Sequence, residues 1–502
     1  MSTTTSARRE PADPNHLLSA DSEYPASAEG RTGGDAENIA DGAEDRPRPI
    51  DGNAASRALG LRARLSAFLL RQASLHKGLL SIFDQALVSG TSFATVVIIS
   101  RACSTAQLGI FYLTLTIILV LIGIQENVIA APYTIFGARR RGNELAEYTG
   151  SMWVHHLILT VASVVSLLAI LVASAAAGAT EVVPGLWALV VFGPIVLLRE
   201  GIRRFAFARL SPGSAIAIDA TVSIVQLAGL LALGMLGLLS VVVVISVMGC
   251  AGAVACLGWY AWDRPQVRFV RGRFLSDWLH NWSFAKWSLT GYLVGSTTPY
   301  IMPWILNLAA GPTATGVLGA CGTLIGISNI LIVGSANFLT PKSAQAFAAS
   351  GVSGLRRVLV VAGALFLLVL GTLCVAILAT GDWLPVAIYG GKYGGCGAVL
   401  AILAASALAT SVSVVAGNGL WALGQPRLNF LADGCTLIAT LAASVCLVFP
   451  FGVVGAALAT LVGTSTGAVV RIQTLRRAMA SASIPRSSVS TVNPHEDRAC
   501  LC

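Results

Sequence analysis

Apolar runs of about twenty residues alternate along this chain with short polar connections, and every second connection is basic. Few folds accept that pattern. A helix rising about 1.5 Å per residue needs about 20 apolar residues to cross a bilayer's hydrocarbon core. Twelve such runs can be drawn, over 79–101, 108–134, 150–177, 183–206, 214–236, 239–262, 284–307, 314–338, 356–379, 394–422, 428–449 and 453–473. Only the Gly234–Ser240 region divides the fifth from the sixth. Charged residues make up 11% of the 502, against about a quarter in soluble proteins. A soluble enzyme, a disordered chain and a coiled coil are excluded. The pattern predicts an all-α polytopic membrane protein.

The charges orient it. Arg57, Arg62, Arg64, Arg71 and Lys77 precede the first run, and Arg139, Arg140 and Arg141 follow the second. Arg199, Arg203, Arg204 and Arg209 close the fourth, and Arg264, Arg268, Arg271 and Arg273 follow the sixth. Lys342, Arg356 and Arg357 follow the eighth, Arg427 the tenth, and Arg471, Arg476 and Arg477 the twelfth. The other connections hold Arg101, Glu181, Asp382, Lys392 and little else. The positive-inside rule places the basic connections and both termini in the cytoplasm, in a multi-pass inner-membrane protein.

Residues 1–57 carry six arginines against eleven acids, which leaves 27 of the 33 basic and 13 of the 24 acidic residues for the remainder. The acidic segment lacks apolar periodicity and reads as a disordered cytoplasmic tail. It has no secretory h-region, and no lipidation motif stands at either end. The basic body fits membrane lipid as partner, not nucleic acid. The ten cysteines are scattered and predict neither disulfides nor a metal site. Residues 269–282 place Phe274, Leu275, Trp278, Leu279 and Trp282 at helical spacing, which suits an interfacial helix. Residues 57–72 show a weaker version. A loop helix packed on the bundle is the competing reading of both.

The chain reads as a duplication. Ser89, Gly109 and Pro132 return as Ser296, Gly316 and Pro341, at offsets of 207, 207 and 209. Pro212 and Asp219 return as Pro426 and Asp433, both at 214. The expected organisation is an N-terminal six-helix half over 58–262, a linker over 263–283, a second half over 284–478 and a tail over 479–502. Both halves start on the same side, so the repeat is parallel.

Charges within the spans are few, and each costs at least about 2.5–3.5 kcal/mol at the bilayer centre unless partnered. Asp84, Gln125, Glu126, Asn127, Arg199, Arg203 and Lys286 are the transport-site candidates. Asp84, Glu126 and Lys286 either line a hydrated cavity or pair across helices. Arg199, Arg203 and Arg204 either bind a diphosphate or anchor the interface by snorkelling. Lys286 and Arg203 are expected to clasp a phosphate from both sides. Asp219 and Asp433 are expected to pair with nearby arginines. His155 and His156 are expected at the interface, with proton relay as the competing role. No nucleotide-binding loop or zincin motif occurs, and no cofactor is implied. Gly463-Thr464-Ser465-Thr466-Gly467 resembles a nucleophile elbow but lies within a span, where small residues serve packing.

The run Asp84-Gln85-Ala86-Leu87-Val88-Ser89-Gly90-Thr91-Ser92-Phe93, with Arg101, Leu108-Gly109-Ile110-Phe111, Ala131-Pro132-Tyr133-Thr134 and Gly419–Arg427, resembles polysaccharide-biosynthesis flippases. These are the O-antigen-type members of the multidrug/oligosaccharidyl-lipid/polysaccharide exporter superfamily. The resemblance covers about 79–478; the long acidic tail departs from it. It implies two six-helix bundles around a central V-shaped cavity. It also implies outward movement of a lipid-linked oligosaccharide, an H+ or Na+ coupling ion, and glycan-assembly proteins as candidate partners. The alternatives are an ion-coupled multidrug antiporter of the same superfamily, whose cavity would favour acids, and a membrane enzyme of glycan polymerisation or ligation. The absence of a large outward loop speaks against the enzyme.

Overall fold

The apolar runs form helices in a computed structural model, which describes residue 80, residues 83–263 and residues 266–483. Helices α1 (Phe83–Ala102), α2 (Thr105–Gly137), α3 (Gly142–Ala176), α4 (Val183–Ala208), α5 (Pro212–Met235) and α6 (Val241–Trp262) follow one another through short turns. A continuous helical stretch, Phe274–Thr380, then leaves helical geometry at Gly311 and at Ser350 and Gly351. These breaks delimit α7 (274–310), α8 (312–349) and α9 (352–380). A short helix, Trp383–Tyr389, precedes α10 (Gly397–Ala422). The stretch Pro426–Ser483 breaks at Gly452 into α11 (426–451) and α12 (453–483). Gly311, Gly351 and Gly452 have φ of 77°, 62° and 52°, a region that costs a residue with a Cβ about 1–2 kcal/mol. The described residues lie in one compact unit, Leu69–Cys502. The readings of 1–57, of 57–72 and of the chain after 483 lie outside the described residues.

One expected element is absent as a separate piece. Residues 274–282 are the first turns of α7, because nothing between Trp282 and Lys286 breaks a helix. Asp277 is buried there, within 3.8 Å of Arg140 and 3.9 Å of Arg273.

Two of the helix-closing turns fall at the sequence offset of the expected repeat. At the α4–α5 turn, the N–H groups of Arg209, Leu210 and Ser211 donate to the carbonyls of Phe205, Phe207 and Ala206. At the α10–α11 turn, Leu423, Gly424 and Gln425 donate to Gly419, Trp421 and Leu420. Each partner is offset by 214 residues. Leu210 and Gly424 both take positive φ, 58° and 68°, to close the helix end.

The packing differs between the two ends of the bundle. At the end opposite the basic connections, one apolar core joins both halves, with Ile99, Leu108 and Phe111 against Cys321, Tyr389 and Leu400. There α2 and α8 meet backbone to backbone. A Cβ on Gly109 would stand 1.8 Å from the Pro312 carbonyl oxygen, and one on Gly316 would stand 2.0 Å from that of Thr105. Two cations lock this end reciprocally. Arg101 of α1 donates to the carbonyls of Ala387 and Ile388, both at 2.8 Å, at the C-terminus of the short helix. Lys392 of the second half donates at 3.1 Å to the Cys103 carbonyl, just past α1. Helix C-termini carry partial negative charge, so each cation meets the end of the other half's helix. At the basic end the cores are separate. One, around Leu355, Phe366 and Leu420, lies within the second half. Another, around Tyr133, Tyr148 and Phe205, lies in the first half and touches only the start of α7.

Candidate functional site

The polar centre of the first half is built on two turns of α4. Arg199 and Arg203, and Glu200 and Arg204, are i,i+4 pairs on neighbouring faces. Arg203 is buried and holds three carboxylates at once. Its Nη2 donates to Asp84 of α1 at 2.7 Å, its Nη1 to Glu200 at 3.3 Å, and its Nε to Asp219 of α5. Arg199 donates to Asp219 at 3.1 Å and lies 3.5 Å from Glu200. Arg204 donates to Glu200 at 3.0 Å and stands 2.9 Å from Glu126 of α2. Asp84, Glu200 and Asp219 are buried, whereas the Glu126 and Arg204 side chains are 42% and 33% exposed. The cluster therefore has a sealed core and one accessible ion pair. Removing so many charges from water is costly, and only their mutual pairing offsets the cost. Four carboxylates face three guanidiniums, so the formal charge is −1. Among the described residues, one Asp84 oxygen, Oδ1, is buried and accepts no hydrogen bond from a donor.

Helix α2 deforms at this cluster. Residues Glu126–Ala130 form a π-turn in which the Ala131 N–H reaches back to the Glu126 carbonyl. Pro132 cannot donate, and the wider turn precedes it. Such turns concentrate at functional sites. Gln125 donates at 3.1 Å to the Leu197 carbonyl of α4, and Asn127 accepts at 2.6 Å from Ser288 of α7. The predicted candidates Asp84, Glu126, Arg199 and Arg203 thus form one network, flanked by Gln125 and Asn127. Lys286 is exposed beside Trp287 and forms no ion pair among the described residues. The two-sided phosphate clasp is not formed, because carboxylates take all three nitrogens of Arg203. His155 and His156 are buried within the helices: His155 Nε2 lies 2.9 Å from the Phe274 carbonyl and His156 packs against Gly201.

The second half carries a different pair. Asp433 of α11 meets Arg471 of α12, which also donates to Ser413 at 2.5 Å. The positions equivalent to Arg199 and Arg203 are Ser413 and Gly417. A Cβ on Gly417 would already stand 3.7 Å from Arg471 Nε, so the space of one arginine is filled by the other. Both aspartates pair with arginine as expected, but from different helices. Asp433 and Arg471 line a chamber of about 490 Å³. Thr410, Thr436, Thr460 and Thr464 also line it and donate to carbonyls four residues back, at 2.8–2.9 Å. Their spent donors leave lone pairs, so the lining is rich in acceptors. Sequence reasoning missed this chamber; the spacing of threonines along α11 and α12 was its only trace. The Gly463–Gly467 string packs α12 on α11, since Cβ atoms at its glycines would strike Thr440 and Thr436.

No protein-family model matches the chain, and no curated protein matches it. Solved structures do. One is an inward-facing multidrug resistance MATE-family transporter of the MOP superfamily, at TM-score 0.67 and 15% identity over 80% of this chain and 96% of that one. A MOP-superfamily transporter from Pyrococcus furiosus, described by the reverse polarity of its binding pocket, gives 0.58 and 15% over 81% and 95%. An outward-facing MATE transporter gives 0.56 and 14% over 81% and 95%. The chain has the fold of these transporters, a polytopic helical membrane fold.

Proposed function

We propose that the protein is an ion-coupled exporter that works by alternating access in the cytoplasmic membrane, with both termini inside. The observation that carries this reading is the buried cluster with one carboxylate too many. A proton or sodium ion on Asp84 would neutralise the excess and loosen the tie between α1 and the α4–α5 pair. Ion occupancy would thereby become helix movement. The shared core at the end opposite the basic connections supports a form open toward the basic end. The higher similarity to the inward-facing neighbour agrees with it. The chamber of the second half is acceptor-rich, which favours a donor-bearing or cationic amphiphile, as in a multidrug antiporter. A second reading, export of a lipid-linked anionic glycan, is favoured by unpaired Lys286 in a stretch, 278–381, without a single acid. Transport, not catalysis, is common to both.

The test is gradient-driven uptake into proteoliposomes, with a fluorescent cationic dye and a polyprenyl-diphosphate glycan as competing substrates. Asp84→Asn is expected to fold and to lose gradient-driven transport. Wild-type rates in Asp84→Asn would sink the coupling assignment, and the transported substrate decides between the two classes.

A further inference from the structure

We infer that the groove between α8 and α9 binds one anionic phospholipid of the leaflet at the basic end. The groove encloses about 650 Å³ and is apolar along its length, with Phe338, Val361 and Leu365 exposed in it. Among the described residues, its only charged lining residues are Lys342 of α8 and Arg357 of α9. Both sit toward the basic end, on either side of the bend at Ser350 and Gly351. Lys342 Nζ lies 5.0 Å from the centre of the Phe338 ring, which steers the ammonium toward the groove. Among the described residues neither cation has a carboxylate partner. The sequence offers none nearby, since residues 278–381 hold Lys286, Lys342, Arg356 and Arg357 and no acid.

Two unpaired cations at the headgroup level and an apolar trough beneath them match a phosphate followed by an acyl chain. From Arg357 to Val369 the trough runs about 18 Å along α9, at about 1.5 Å per residue, which accommodates most of a chain. A basic connection that served orientation alone would need no groove, and a groove for bulk lipid would need no cations. Seated there, the lipid ties α8 to α9 across their glycine bend. It is separate from the ion cluster of the first half and does not depend on the identity of the exported substrate.

The experiment uses the full chain, purified in mild detergent, delipidated and given equal amounts of phosphatidylglycerol and phosphatidylcholine. Retained lipid is read by native mass spectrometry. One phosphatidylglycerol is expected to persist. A cation near an anionic headgroup is worth about a factor of five, so Lys342→Gln with Arg357→Gln should cut the preference roughly 30-fold. Leu365→Trp, which fills the lipid-facing trough without changing charge, should lower retention as well. Arg356→Gln, outside the groove, should retain it. Equal retention of the two lipids by the wild type would overturn the assignment. So would unchanged preference in the double variant, or an equal loss in Arg356→Gln.

Discussion

Removing the Arg203 guanidinium strips three carboxylates of their common partner. Breaking a buried ion pair from one side costs about 3–5 kcal/mol. Arg203→Ala should therefore lower the yield of folded, monodisperse protein severely, as read by fluorescence-detected size-exclusion chromatography in detergent. Arg203→Lys keeps the charge but not the three-way fork and should fall between. Arg203→Met combined with Asp84→Asn and Asp219→Asn should recover part of the loss; no recovery would show that packing, not charge, dominates. The pairing of Asp219 is legible in the sequence because the aspartate recurs at a fixed offset after a proline. The crowding around Arg203 is not, because it depends on α1 lying against α4, more than a hundred residues away. For the same reason Lys286 and Arg203 read as partners while they lie in different surroundings.

At the scale of elements, the outer cations are the clearest departure from what charge counting conveys. Arg101 and Lys392 violate the orientation bias, and in sequence they are only leftovers. Their acceptors are backbone carbonyls nearly three hundred residues distant, which no side-chain pattern encodes. Each donates across the interface between halves, so together they hold the closed end closed. Arg101→Ala with Lys392→Ala should shift the resting population toward opening at that end. The readout is Cys321, buried in the shared core, kept as the single cysteine and challenged with a membrane-impermeant maleimide. Faster labelling in the double variant is expected; an unchanged rate would remove the latch. The helices themselves are legible because their apolar length leaves them no other fate. Their breaks are legible only where glycine and proline coincide, as at Gly311 and Pro312. The π-turn of α2 carries no sequence signature beyond Pro132.

At the scale of the molecule, the alternation of basic connections predicts that a cysteine placed beside Asp382 is reached from outside and one beside Arg140 is not. The reverse pattern would invert the assigned orientation. The expected duplication also has a consequence for the proposed ion coupling. The position equivalent to Asp84 is Gly291, that of Glu200 is Val414, and that of Arg203 is Gly417. At these positions the second half keeps the Asp433–Arg471 pair and has no counterpart of Asp84 or Glu200. Under the proposed ion coupling the stoichiometry should be a single ion per turnover, which a reversal-potential measurement would report directly. A ratio of two would mean that the second half also titrates. For an exporter coupled in the proposed way to one ion, the largest concentration ratio sustained for a neutral cargo is capped by one ion's electrochemical gradient, however tightly that cargo is held.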